Sequence, residues 1–534
     1  MRLHFQTFGM DDYQMFLRAK ALTESQTVFH VEDETYSVQT PARFAAMLGL
    51  SPIGPAVPEL ALSDFLFEDQ RAICTMALNA KRFACWSDCG LGKTLIELEF
   101  ARQVLHRTGG RVLLVTLNEI VPQTMEECKR FYADMPIHLI ANRAEMRQWC
   151  KDGEPGLAIT NYEKWNPGRL EDQVVNEARH LSGVILDESS RLKGGGGKQK
   201  WALIKSCKGI EYKLSATATP APNDIIEFAS QASFLEKMRS EGDIIWSYFV
   251  RDPVTHRWTV KPHARAQFFR WMSSWSIYVR NPKCYGWRLN MPEVPEPVVR
   301  VHKIEMTPEQ AGQRAEMICG DPSMVIRDDE CATNAIQRLK LSQLAKGFRY
   351  RTGEAGKYDR VQSRKPDFVS ELIQDEAKKG HQVLVWTSFD AESELLAEAL
   401  GDANYCILTG KTKEKDRLEI LESFRVGKVR VLLSRAAVLG YGINLQCCTS
   451  MIFSGWSDSY EAYYQAVRRA YRYGQTQRLR VHIPVIEELE GDMLDNIFRK
   501  QEEHESAIAE MQENYINVLN HRGTEAQRAS SRPT

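Results

Sequence analysis

No apolar run in the 534 residues approaches the roughly 20 that a bilayer-spanning helix needs, so no membrane segment is expected. The opening Met1-Arg2-Leu3-His4-Phe5 has no apolar h-region, so no secretory signal is read and a cytoplasmic location is expected. The twelve cysteines include no Cys-x-x-Cys pair; Cys447 and Cys448 are adjacent and the rest are scattered. That pattern speaks against a zinc framework and for reduced thiols in a reducing compartment. The formal net charge is only −1, which excludes a polycation and confines any nucleic-acid site to a local patch. What remains is a globular composition, 43% hydrophobic and 26% charged, long enough for about three or four domains.

The stretch around which the chain is organised is Ser87-Asp88-Cys89-Gly90-Leu91-Gly92-Lys93-Thr94. Its lead-in, Phe83-Ala84-Cys85-Trp86, reads as a buried strand, and Leu95 to Ala101 reads as a helix. Strand, glycine-rich turn, Gly-Lys-Thr and helix make the pattern of a phosphate-binding loop. Glycines let the backbone N–H groups of Gly90, Leu91 and Gly92 curl around phosphate oxygens, and the helix N-terminus adds partial positive charge. Lys93 supplies a point charge for the β- and γ-phosphates of ATP, and the Thr94 hydroxyl can ligate Mg²⁺. The full pattern has glycine five residues before Gly92, where this chain has Ser87.

Residues 1–60 carry short mixed patterns and are read as an accessory segment, with Pro41 to Leu48 resembling a short amphipathic helix. Gln70 follows an apolar opening, Phe65-Leu66-Phe67; its amide donates and accepts at once, which suits an adenine edge, although a helix-surface glutamine reads the same way. Apolar runs ending in polar residues recur at Arg111–Thr116, Leu157–Tyr162, Gly183–Glu188 and Lys213–Thr219, with helical patterns between. Such alternation implies a doubly wound parallel sheet with its ligands at the carboxyl ends of the strands. Asp187 and Glu188 terminate one apolar strand; Asp187 would hold Mg²⁺ and Glu188 would polarise the water that attacks the γ-phosphate.

Residues 236–355 are less regular and read as a helical insertion and linker. Within them His263 to Arg288 interleaves Arg265, Arg270, Arg280, Lys283 and Arg288 with seven aromatics. That mixture can grip a nucleic-acid backbone and can equally form an aromatic core face with a solvated basic face. A second alternating unit starts near 360, with strands at His381–Phe389, Tyr405–Gly410, Val429–Ser434 and Ser450–Phe453 and no phosphate loop of its own. It carries Gln465-Ala466-Val467-Arg468-Arg469-Ala470-Tyr471-Arg472-Tyr473-Gly474-Gln475. Arg469 and Arg472, three apart, are expected on one helix face, as guanidinium groups for a γ-phosphate or as a plain basic surface. The last residues read as a solvated helix and a disordered end.

The order of these motifs resembles the superfamily II helicase-like ATPases, and more narrowly the Swi/Snf-type DNA translocases. Asp187-Glu188-Ser189-Ser190-Arg191-Leu192-Lys193 is similar to that family's Asp-Glu-x-His-Arg-x-Lys, with Ser190 in place of histidine. Thr217-Ala218-Thr219-Pro220-Ala221-Pro222-Asn223 is similar to Thr-Gly-Thr-Pro-x-x-Asn, Gly440-Tyr441-Gly442-Ile443-Asn444-Leu445 to Gly-x-Gly-Ile-Asn-Leu, and Gln465–Gln475 to Gln-Ala-x-x-Arg-x-x-Arg-x-Gly-Gln. The resemblance covers about residues 65–480. It implies two RecA-like lobes, at 61–235 and 356–500, an accessory segment before them, the insertion at 236–355 between them and a tail at 501–534. It further implies ATP in a cleft between the lobes, held by Gln70, Gly90, Leu91, Gly92, Lys93, Thr94, Gly442 and Gln465. Mg²⁺ would sit on Thr94 and Asp187, and catalysis would rest on Lys93, Asp187, Glu188, Arg469 and Arg472. Thr116, Thr160, Thr387, Ser388 and Thr409 match motifs that contact the backbone of double-stranded DNA. No bromo-, chromo- or zinc-finger-like segment is seen, so a compact bacterial or phage motor is expected rather than a chromatin remodeller. The reading that follows is a DNA-stimulated ATPase translocating on duplex DNA. A strand-separating DNA or RNA helicase and a nucleotide-gated DNA-binding subunit without turnover are the alternatives.

Overall fold

The computed structural model describes residues 2–5, 16–17, 19–20, 26–30 and 35–39. From 61 onward it describes all except 165–179, 193–197, 222–223, 239, 254–257, 289–293, 320–330, 355, 440–442, 473 and 531–534. The helix expected at 41–48 lies outside the described residues. The chain divides into two compact units, one of Met1–Asn290 with Glu503–Thr534 and the other of Met291–Glu502. Among the described residues no helix is long and apolar enough to cross a membrane.

In the first unit, β1 (Arg2–Phe5), β2 (Gln26–His30) and β3 (Thr35–Gln39) make a small antiparallel sheet with β3 central. The main sheet is parallel throughout. It contains β4 (Arg82–Ser87), β5 (Arg111–Thr116), β6 (Ile137–Leu139), β7 (Gly156–Asn161), β8 (Gly183–Leu186) and β9 (Tyr212–Ala216). A short hairpin of β10 (Phe249–Arg251) and β11 (Trp258–Val260) follows. Then β12 (Ser276–Val279) joins the main sheet, giving the order β12-β4-β9-β8-β5-β7-β6. All residues of β4, β7, β8 and β9 are buried, as the unbroken apolar runs require of a sheet covered on both faces. The order sets four carboxyl ends side by side: the phosphate-loop strand β4, then β9, β8 and β5.

The second unit repeats the plan. Its strands are β13 (Val298–Lys303), a side pair of β14 (Phe348–Tyr350) and β15 (Tyr358–Arg360), then β16 (Val383–Thr387), β17 (Tyr405–Leu408), β18 (Val431–Arg435), β19 (Ser450–Phe453) and β20 (Arg480–Val485). The main sheet is again parallel, in the order β13-β20-β19-β16-β18-β17. Successive residues of β16 feed opposite cores: Leu384 and Trp386 pack with Met451, Phe453 and Val481, whereas Val383 and Val385 pack with Val369, Leu396 and Leu433. Strand periodicity thus covers both faces, as in the doubly wound α/β fold expected for each lobe.

One expectation for 236–355 is corrected, and one open alternative is decided. The segment is not only helical insertion and linker, because it supplies β12 to the first sheet and β13 to the second. Its basic–aromatic stretch takes the second of the two forms read from the sequence: Phe268, Phe269, Trp275 and Tyr278 are fully buried, Trp275 meets Trp86 edge-on at 5.6 Å, and Arg270, Arg280, Lys283 and Arg288 are exposed. Arg265 donates to Glu510 at 2.8 and 2.9 Å, on the part of the helix Glu487–Ser530 that belongs to the first unit. Arg280 lies 3.9 Å from Glu505 in the same unit.

Candidate active site

β4 ends at Ser87 and the backbone turns through Gly90 (φ +89°) and Gly92 (φ +72°) into the helix Lys93–Thr108. The left-handed conformation favours glycine at both positions. Gly92 is doubly constrained, since a Cβ there would lie 2.4 Å from Nε2 of Gln70. Gln70 is buried; its Oε1 accepts from the Phe67 N–H at 3.0 Å and its Nε2 donates to the Leu91 carbonyl at 3.1 Å. It therefore braces the phosphate loop from behind, a role not read from the sequence. The Lys93 ammonium donates to the carbonyls of Ser87 at 2.9 Å and Asp88 at 3.4 Å. Burial opposes its charge, but Cys89, Glu188, Asp187 and Asp88 outweigh that and hold the ammonium above its ordinary range.

Asp187 and Glu188 follow β8 and are 6% and 9% exposed. Each is held by a residue from a flanking strand end. Thr116, the last residue of β5, donates from Oγ1 to Asp187 Oδ2 at 2.6 Å, while the Glu188 N–H donates to Asp187 Oδ1 at 2.9 Å. The Tyr162 hydroxyl donates to the Asp187 carbonyl at 2.7 Å. Thr217, just past β9, donates to Glu188 Oε2 at 3.2 Å. Glu188 itself has φ +48°, a conformation that non-glycine residues seldom adopt and that is held by its surroundings. The Thr94 hydroxyl and Asp187 carboxylate are hard oxygen donors of the kind that suit Mg²⁺. Glu97 was not anticipated. It is 1% exposed, and burial followed by the Asp187 charge pushes its carboxyl well above the usual range, against the pull of Lys93. Its place one helical turn after Thr94 was the signal available in the sequence.

Two residues expected on a DNA backbone are placed elsewhere. Thr116 is fully buried and occupied with Asp187; Thr160 is fully buried. A hydroxyl with no exposed surface presents nothing to a phosphate, so both expectations are corrected. In the second unit Thr387 is 4% exposed and shares a 2.8 Å hydrogen bond with Ser393, which corrects the third. Ser388 and Thr409, at the ends of β16 and β17, are partly exposed. Gly442 lies outside the described residues. Gln465 is buried on the helix Tyr460–Val467, its Nε2 without a hydrogen-bond partner. Arg469 and Arg472 do not share a helix face, because that helix stops at Val467 and the chain continues through tight turns. The neighbouring loop sets this path: the Leu445 N–H donates to the Arg469 carbonyl at 2.9 Å, and Gln475 donates to the carbonyls of Gln446 at 2.8 Å and Cys448 at 3.0 Å. Arg469 is 7% exposed, and Arg472 Nε is buried without a hydrogen-bond partner.

Residues 67–228 match the DEAD/DEAH box helicase family, and residues 364–474 match the helicase conserved C-terminal domain; together the matches cover slightly more than half of the chain. Over 119 residues, 21% of this chain, it is 32% identical to the chromatin-remodeling ATPase INO80 of Neurospora crassa and 33% identical to that of Aspergillus oryzae. The chain belongs to the helicase-like proteins that join a DEAD/DEAH box helicase domain to a helicase conserved C-terminal domain. A chain with these two domains is an ATP-hydrolysing enzyme. This chain spans only 6% and 8% of the length of those two relatives. Putative protein p41 of Acyrthosiphon pisum secondary endosymbiont phage 1 is 23% identical over 434 residues, 75% of this chain and 87% of its own length. Among solved structures, the Sulfolobus solfataricus SWI2/SNF2 ATPase core in complex with dsDNA aligns over 82% of this chain and 90% of its own, at 19% identity and a TM-score of 0.38.

Proposed function

We propose that this ATPase is a motor that translocates along double-stranded DNA and draws on Mg-ATP hydrolysis. The observation that carries the ATP half is the grouping of Lys93 with Asp187 and Glu188 as electrostatic neighbours beyond the carboxyl ends of β4 and β8, the two strands that flank β9. The DNA half is supported by the motif set and by the likeness to INO80 proteins, whose name makes them chromatin-remodeling ATPases.

The division of labour follows from the contacts. The backbone N–H groups of Gly90, Leu91, Gly92 and Lys93 cradle phosphate oxygens, and the Lys93 ammonium neutralises charge on the β- and γ-phosphates. Thr94 and Asp187 would hold Mg²⁺, which supplies charge stabilisation and orients the phosphates. Glu188, steadied by Thr217, accepts a hydrogen bond from the attacking water. Gln70 keeps the phosphate loop in shape. Ser388 and Thr409 remain the candidate contacts to the DNA backbone. Phosphate contacts of this kind fix position and carry no sequence information.

The test is steady-state phosphate release with duplex DNA, joined to displacement of a triplex-forming third strand. The unaltered chain should release phosphate and strip the third strand, and Lys93→Ala should do neither. A Lys93→Ala protein that retains DNA-stimulated hydrolysis would overturn the proposal.

A further inference from the structure

Lys93, Thr94 and Glu97 lie on one helix at spacings of four and three, so they share its face toward the end of β8. Glu97 is 1% exposed, its carboxyl is within hydrogen-bonding reach of that of Asp187, and its Oε1 has no hydrogen-bond partner. Both oxygens of Asp187 are already engaged, one by the Thr116 hydroxyl and one by the Glu188 N–H. An acid in this position is an expensive way to fill space. A leucine or methionine would occupy the same helix face without leaving a buried oxygen unsatisfied. The other buried acid of this helix, Glu99, shows the contrast: it accepts from Ser63, Arg102, Gln103 and Tyr132 and is fully used in holding the fold.

We propose that Glu97 is a positioning residue of the cation site: its unpartnered Oε1 is the acceptor for a water of the hydrated divalent cation held by Thr94 and Asp187. The inference rests on the reading of Lys93, Thr94 and Asp187 as the site of a magnesium nucleotide. Outer groups that orient a metal-binding carboxylate typically contribute about 10- to 100-fold to metal affinity. Glutamine retains the acceptor oxygen in the same shape, so it should substitute; an apolar side chain offers none.

The experiment uses the full chain, a fluorescent ADP analogue and MgCl₂ titrated from zero, with Mn²⁺ electron paramagnetic resonance as the direct metal readout. Glu97→Leu should raise the half-saturating Mg²⁺ and Mn²⁺ by about 10- to 100-fold and leave binding of the analogue in EDTA unchanged. Glu97→Gln should stay within about threefold of the unaltered chain, a rescue that a packing role would not produce. If Glu97→Leu does not fold, Glu97→Met, unbranched and helix-compatible, carries the same test. A Leu or Met variant with unaltered metal dependence overturns the role of Glu97 alone. An unaltered chain that shows no metal-dependent nucleotide binding overturns the reading of the site and this inference with it.

Discussion

Thr116→Val tests the wiring of the site most cleanly, because it keeps the branched shape and deletes one hydroxyl. That hydroxyl donates to Asp187 Oδ2 at 2.6 Å, with Thr116 fully buried and Asp187 6% exposed. Water is poorly placed to replace it. A hydrogen bond to a charged group contributes about 1.5–3 kcal/mol, which is roughly 10- to 150-fold in an equilibrium constant. The loss falls on the carboxylate proposed to hold the cation. The Mg²⁺ needed for half-maximal hydrolysis should therefore rise by about tenfold or more. Nucleotide binding in EDTA, and the duplex DNA concentration for half-maximal stimulation, should stay as they were. The assay is a grid of phosphate-release rates over Mg²⁺ and duplex DNA. Unchanged Mg²⁺ dependence with a weakened response to DNA would refute the reasoning and return Thr116 to the DNA-contacting role that its strand-end position suggests.

Gly92→Ala should abolish measurable nucleotide binding, because the added Cβ would lie 2.4 Å from Gln70 Nε2 at a backbone φ of +72°; equilibrium binding of a fluorescent nucleotide checks it. Gln70→Ala should weaken ATP and GTP by similar factors, since the amide is spent on Phe67 and Leu91; a selective loss of ATP in competition assays would show that it reads the base. His482 is buried, and burial, aided by His302 and Arg300 and opposed by Glu376, lowers its pKa from 6.5 to about 4. Between those values the unfolded chain binds more protons than the folded one, so stability is present above pH 6.5 and falls as pH drops toward 4, by about 3 kcal/mol from this residue. Thermal melts from pH 7 to pH 4 should show that slope, and His482→Gln should flatten it.

Local patterns were legible in the sequence wherever one segment carried its own physics. The phosphate loop needs positive-φ glycines, a lysine and a following helix within eight residues, and all were visible. So were the central strands, because burial on both faces demands unbroken apolar runs such as Val112–Val115 and Val383–Val385. Edge strands were not. β13 leaves Val299 and Val301 exposed at 43% and 41% and so lacks that signature. β20 contains Pro484, which speaks against a central strand; the register explains it, because β19 pairs only with residues 480–482 and Pro484 lies beyond that pairing. Within the site, chemistry carried by a single residue could be read, as with Lys93, Asp187 and Glu188. Pairings across strands could not: Thr116 with Asp187 spans 71 residues and Thr217 with Glu188 spans 29. The helical spacing assumed for Arg469 and Arg472 failed for the same reason, since hydrogen bonds from the loop at Leu445–Cys448 decide their backbone.

The central claim is tested most directly by ATP hydrolysis measured in parallel without nucleic acid and with duplex DNA, single-stranded DNA and duplex RNA. Strong stimulation by duplex DNA alone, lost in Lys93→Ala, is the expected result. Stimulation mainly by a single strand or by RNA, or no hydrolysis under any condition, would contradict a motor that works on double-stranded DNA.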